Sequence, residues 1–302
     1  MQKSLLCRLL SFLLLAAALP AASAAADRKD SHSDDKLVIA QISDTHLGLA
    51  RAPDAADNLR KVVKMVNDRH PDAVLVTGDI GETSEAWAEA RGILQDLQAK
   101  SVFYIPGNHD VNAHNLERWR SAWGPDYKEF HIKWLTIFGL DSQLLGNYDN
   151  FDSHSVVPLS SQGQAESKKM LDWFAKEIDD EKAEQREHRQ NAQVVLVMQH
   201  VPVSRADSGR FPNDPKPYWT VQEPYRSREL ELLRRLGVRD VIVGHWHIGM
   251  VYDADGITYH VAPAVSWSAW EKRLGFAMHT INRDGRVHTD FVYIPGADPH
   301  WP

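Results

Sequence analysis

The chain has 302 residues, 43% hydrophobic and 25% charged, with 15 histidines and a single cysteine. That apolar content can build a core, which excludes wholesale disorder, and one cysteine excludes a disulfide scaffold. With 34 basic against 41 acidic residues the net charge is −7, which excludes a non-specific binder of nucleic acid polymers.

Residues 1–24 read as a signal peptide. Lys3 and Arg8 precede an apolar run from Leu9 to Leu19 that only Ser11 interrupts. The run is shorter than the roughly 20 residues a membrane-spanning helix needs. Ala22-Ser23-Ala24 has the small-x-small pattern of a cleavage site. Cys7 lies ahead of the run and would leave with the peptide. The expectation is export, to a periplasm or the extracellular space, with no stable membrane insertion after cleavage. Residues 25–36 are polar and read as a disordered lead-in. Residues 37–296 show no internal repeat and no break in composition, so one domain is expected there.

Within it, Leu37–Ile42 is a short apolar run with Val and Ile, the mark of a buried strand. Asp57–Arg69 carries Leu59, Val62, Val63 and Val66 at helical spacing. A strand over Ala73–Val76, a helix over Glu85–Ala99 and a strand over Val102–Ile105 follow. This alternation with short turns predicts parallel strands covered by helices. Phe130–Leu140 reads as a hairpin or two short strands. Gln162–Arg189 reads as a long helix burying Met170, Leu171, Trp173, Phe174 and Ile178. Strands over Val194–Met198 and Val238–Val243 flank a helix over Glu229–Leu236. Met250–Tyr293 reads as antiparallel strands, with turns at Asp255-Gly256 and Asp284-Gly285.

Five of these strands run directly into polar residues. They are Asp44-Thr45-His46, Gly78-Asp79, Gly107-Asn108-His109-Asp110, Gln199-His200 and Gly244-His245-Trp246-His247. The carboxyl ends of parallel strands form one edge of an open sheet, where ligands bind. Carboxylate oxygen and neutral imidazole suit divalent Mn, Fe or Zn, and the lack of thiolate argues against a closed structural zinc site. Asp44/His46 and His245/His247 are i, i+2 pairs, which an extended backbone turns to the same side. Seven ligands are too many for one tetrahedral ion and suit two ions sharing a carboxylate.

This ordered set of blocks resembles the calcineurin-like metallophosphoesterases. Within them, Trp123-Gly124-Pro125-Asp126-Tyr127, Asp141-Ser142-Gln143 and Gln199-His200-Val201-Pro202 are similar to the calcineurin-like phosphoesterase domain-containing protein phosphatases. Glu82 stands where purple acid phosphatases carry tyrosine. The resemblance implies an α/β four-layer sandwich of two mixed sheets flanked by helices. It implies Asp44, His46, Asp79 and His247 on one divalent ion, and Asp79, Asn108, His200 and His245 on a second. It further implies hydrolysis of phosphate esters by a hydroxide held between the ions, Mn²⁺ being the first expectation. His109 is the natural general acid, or a cation beside the phosphoryl group, with Asp110 orienting it and favouring its charged form.

The expected substrate is a phosphorylated small molecule or phosphoprotein, cleaved as a monoester. A phosphodiesterase for cyclic nucleotides or lipid headgroups would use the same ligands, and an inactive metal-dependent binding protein is the third reading. The 91 positions from His109 to His200 leave room for a cap-like insertion. Arg205 and Arg210, in the segment after His200, are candidates for substrate binding.

Overall fold

The structure, a computed structural model, describes residues 35–111, 115–187, 193–206, 212, 214 and 216–300. The expected signal peptide, Cys7, all but the last two residues of the lead-in, and Arg210 lie outside the described residues.

Strands and helices alternate as β1 (Lys36–Ile42), α1 (Ala55–Asn67), β2 (Ala73–Thr77), α2 (Ser84–Leu94), β3 (Val102–Ile105), α3 (Leu116–Trp123), β4 (Lys128–Ile132), β5 (Leu135–Gly139), α4 (Ser161–Glu187), β6 (Val194–Met198), α5 (Tyr225–Leu236) and β7 (Asp240–Val243). Four strands close the chain: β8 (Met250–Ala254), β9 (Ile257–Val261), β10 (Gly275–Asn282) and β11 (Val287–Tyr293). They form two mixed sheets, in the orders β11-β10-β1-β2-β3 and β4-β5-β6-β7-β9-β8. β1, β2 and β3 are parallel, as are β5, β6, β7 and β9.

The apolar runs are continuous because both faces of the central strands are covered. Leu37, Ile39, Leu75 and Ile105 of the first sheet meet Ile137, Leu196, Met198 and Ile242 of the second, forming the inner layer of the core. The alternate residues Ala40, Ile42, Val74, Val76, Val197, Val241 and Val243 face outward into a second apolar layer. Helices complete that layer. α1 brings Leu59, Val62, Val63 and Val66, and α4 brings Met170, Leu171, Phe174 and Ile178. This is the expected α/β sandwich of two mixed sheets flanked by helices. No helix among the described residues is long and apolar enough to cross a membrane.

Several sequence expectations need correction. α2 stops at Leu94, and Gln95–Leu97 close as turns on Arg91, Ile93 and Leu94 rather than continuing to Ala99. α5 starts at Tyr225, four residues early, because its first turn is polar and half-exposed and carries no apolar periodicity. α3 was not anticipated; it is eight residues long and buries only Leu116 and Trp119. The tail is not purely antiparallel, since β9 pairs antiparallel with β8 but parallel with β7. Much of the segment between His109 and His200 is no cap, because it supplies α3, β4, β5 and α4 to the sandwich.

Candidate metal centre

The carboxyl ends of β1, β2, β3, β6 and β7 converge on one edge. Cross-sheet hydrogen bonds fasten them there. Gln41 Nε2 donates to Val243 O at 2.8 Å, His200 Nδ1 to Thr77 O at 2.7 Å, and the His245 main-chain N–H to Asp44 Oδ2 at 3.2 Å.

The expected ligands turn toward a common point, though not by extended alternation. Asp44, His46, Asp79, His245 and His247 all have positive φ, between 43° and 69°. Left-handed backbone costs such residues on the order of 1–3 kcal/mol each, and it persists where the surroundings dictate it. Here Asp44 N–H donates to Gly78 O and His46 N–H to Asp79 O. Ser266 and Ser268 hydroxyls hold the Asp44 and His247 carbonyls at 2.7 and 2.6 Å. A Cβ at Gly107 would fall on the Asp79 carboxylate, and one at Gly244 on Ser43 Oγ and Asp44 Oδ2, so both close approaches require glycine.

Three groups of potential ligand atoms result among the described residues, one of them His46, Glu82 and His109; the other two gather the expected ligands. One holds Asp44, His46, Asp79 and His247; the other holds Asp79, His200 and His245. Asp79 Oδ2 lies between them, 3.4 Å from His46 Nε2 and 3.2 Å from His200 Nε2. Asn108 stands beside the second group, and the next residue's N–H, that of His109, donates to Asp79 Oδ1 at 2.8 Å.

The outward nitrogens of all four histidines are engaged. His46 Nδ1 donates to Glu82 Oε1 at 2.9 Å, His200 Nδ1 to Thr77 O, His245 Nε2 to Tyr218 O at 2.9 Å and His247 Nδ1 to Trp267 O at 2.9 Å. Each remaining ring nitrogen therefore faces inward, the arrangement metal-binding histidines adopt. His46 Nε2 and His247 Nε2 face each other at 3.2 Å. His200 Nε2, Asp44 Oδ1 and Asn108 Oδ1 are buried without a hydrogen-bond partner. His247 Nε2 is 3.0 Å from Asp44 Oδ1. Converging buried carboxylates repel one another unless cations lie among them. The donor set fits two divalent ions sharing Asp79.

Electrostatics point the same way. Burial pushes Asp44 up, but His247 and His200 outweigh it and hold the carboxyl at about 2. Asp79 is likewise held well below the ordinary range, mainly by His200 and His109 against burial. Burial, reinforced by His200, drives His245 down to about 3 and keeps it neutral. Burial also lowers His200, but with no cation present Asp79 and Asp44 prevail and raise it to about 9, so Nε2 carries a proton that a cation would have to displace.

His109 is half-buried, with its ring edge-on to His46 at 4.6 Å between centroids. The structure assigns its partner differently from the sequence reading. Its Nδ1 donates to Glu82 Oε2 at 2.9 Å, so one carboxylate forks between His109 and His46. Asp110 does not orient the ring. Its carboxylate accepts from the main chain of Ile80, Gly81 and Gly107 and from Trp87 Nε1, at 2.9–3.2 Å. Burial lowers His109, but the Asp79 charge and Glu82 outweigh it and raise it to about 9.

Arg205 is also corrected. Its guanidinium donates to Pro212 O at 2.5 Å and Lys216 O at 3.0 Å, so two of its five donors brace a loop. Residues the sequence reading passed over stand close to the ligands. Beyond Glu82 they are Tyr218, whose ring lies 4.8 Å from His245, and Trp267, 4.5 Å from His247. The sequence signals for Glu82 are its place three residues beyond Asp79 and its standing where purple acid phosphatases carry tyrosine. Tyr218 and Trp267 sit in irregular segments with no motif.

Comparison with known proteins agrees with this geometry. A solved dimetal phosphatase from Danio rerio superposes with a TM-score of 0.58 at 18% identity, covering 85% of this chain and 98% of that one. GAP50 of Plasmodium gives 0.58 at 14% identity, covering 87% and 86%. At those identities the likeness establishes the fold. Among sequences, serine/threonine-protein phosphatase CPPED1 of Danio rerio is 25% identical over 62% of this chain and 55% of its own length. The matched region thus spans little more than half of that relative. A probable cyclic nucleotide phosphodiesterase of Rhodococcus erythropolis is 26% identical over 80% of this chain and 75% of its own. The family model for calcineurin-like phosphoesterases matches residues 37–249, more than half of the sequence. The chain belongs to the calcineurin-like phosphoesterase family.

Proposed function

We propose that the protein is a dinuclear-metal hydrolase of phosphate monoesters. The observation that carries this reading is the Asp79 carboxylate set between two groups of inward-facing ligands, each histidine fixed from outside. When bound, two divalent cations supply a nucleophile from water near neutral pH and offset charge on the phosphoryl oxygens. Mn²⁺ is the cation proposed. The protein's own contribution is orientation and a proton. His109 Nδ1 is spent on Glu82, so its Nε2 is the atom that gives a proton to the leaving oxygen. With no cation bound, the Asp79 charge and Glu82 outweigh burial and raise the ring to about 9.

A diester reading rests on the similarity to the Rhodococcus protein and on the same ligands. The test is turnover of p-nitrophenyl phosphate against bis(p-nitrophenyl) phosphate by Mn²⁺-loaded protein. The monoester is expected to be the better substrate. Preference for the diester would replace this proposal with the second reading, and turnover of neither would favour a binding protein.

We also propose that residues 1–24 direct export and are then removed, on the strength of Lys3, Arg8, the apolar run and Ala22-Ser23-Ala24. N-terminal sequencing of the exported protein is expected to begin at Ala25. A protein retaining Met1 in the cytoplasm would overturn this.

A further inference from the structure

The connection from β6 to α5 contains a 3₁₀ turn at Pro217–Trp219 that lies against the second ligand group. Tyr218 Oη accepts from Asn108 Nδ2 at 3.0 Å. That bond decides which end of the amide is turned away and leaves Oδ1, buried and without a hydrogen-bond partner, as the ligand atom. The main-chain oxygen of Tyr218 accepts from His245 Nε2, leaving Nδ1 to face inward. Its ring packs on His245. One residue therefore orients both ligands that belong to the second ion and are neither shared nor fixed by the sheet. The first group is braced elsewhere, by Glu82 and the Trp267 carbonyl.

The turn is itself anchored on either side of Tyr218. Arg205 donates to Lys216 O, and Trp246 Nε1 donates to Trp219 O at 2.8 Å. Trp246 lies between His245 and His247, so the turn is stitched to the segment it orients.

We infer that Tyr218 is a positioning residue that sets the affinity for the second divalent cation and leaves the first unaffected. This rests on the two-cation reading proposed above. Tyr218→Phe retains the ring and the carbonyl bond to His245 and removes only the hydroxyl. Asn108 is then free to present its amide nitrogen, a donor, toward the cation.

The test is calorimetric titration of Mn²⁺ into chelator-stripped full-length protein. Wild type is expected to bind two equivalents in separable steps. Tyr218→Phe is expected to weaken the second step by about 10–100-fold, the usual cost of losing a partner behind a ligand, with the first step unchanged. Its kcat is expected to recover toward wild type at saturating Mn²⁺ and to fall at limiting Mn²⁺. Tyr148→Phe is the control. The Tyr148 hydroxyl donates to Thr220 O at 3.5 Å and bonds neither ligand, so both steps should remain as in wild type. A second step within threefold of wild type in Tyr218→Phe, or equal weakening of both steps, would overturn the inference alone. A single equivalent in wild type would overturn the two-cation reading and this inference with it.

Discussion

Glu82 is the residue through which the proton donor and the first ligand group communicate. Each of its oxygens accepts from one imidazole, His46 on one side and His109 on the other. Burial raises its carboxyl, but the two imidazoles outweigh that and hold it at about 2, so it stays an acceptor across the working range. Glu82→Gln would place an amide nitrogen opposite one ring N–H, forcing a change of tautomer in His46 or His109. The expected result is a fall in kcat of about 10–100-fold. Unchanged steady-state kinetics would remove Glu82 from the site. His109→Ala is expected to retain metal, by elemental analysis, and to lose about 10²–10⁴-fold in turnover. A loss below about tenfold would exclude His109 as the acid. The seven ligand positions were readable in the sequence because each lies a few residues past an apolar strand. Glu82 and Tyr218 were not, since their partners lie 27 to 110 positions away and only folding brings them together.

At the level of elements, the turn after β2 and the turn after β3 behave as one unit. Asp110 joins them by accepting from Ile80, Gly81, Gly107 and Trp87 at once. This explains the Gly-Asn-His-Asp block differently from a catalytic pair, because its last residue is a clamp. Asp110→Ala would strand several buried donors, and unfolding in urea is expected to show a loss of about 3 kcal/mol. A change below about 1 kcal/mol would contradict the clamp. The strands were readable because those buried on both faces spell continuous apolar runs. Short α3, the polar first turn of α5 and the parallel β7–β9 pairing were not. Two or three buried side chains leave no periodicity, and pairing direction is not written in a strand's composition.

Across the whole molecule, Glu229 is a carboxyl stranded in the core away from the metal centre. Glu229 on α5 is fully buried, and burial outweighs a hydrogen bond with Gln199 and raises it to about 8. Because the folded pKa lies above the ordinary 4.5, the folded state holds this proton more tightly than the unfolded chain. Its cost is absent below about pH 4.5, grows as pH rises toward 8 and then levels off. Glu229→Gln is expected to match wild type in stability near pH 4 and to exceed it by a margin on the order of 4 kcal/mol near pH 8. Denaturation curves showing a gap independent of pH would contradict a neutral Glu229.

The sharing of Asp79 between two cations is most directly checked by anomalous scattering from a crystal of the Mn²⁺-loaded protein. The predicted result is two peaks about 3.5–4 Å apart, one beside Asp44, His46 and His247, the other beside Asn108, His200 and His245, with Asp79 between them. A single peak, or two that do not both contact Asp79, would contradict it.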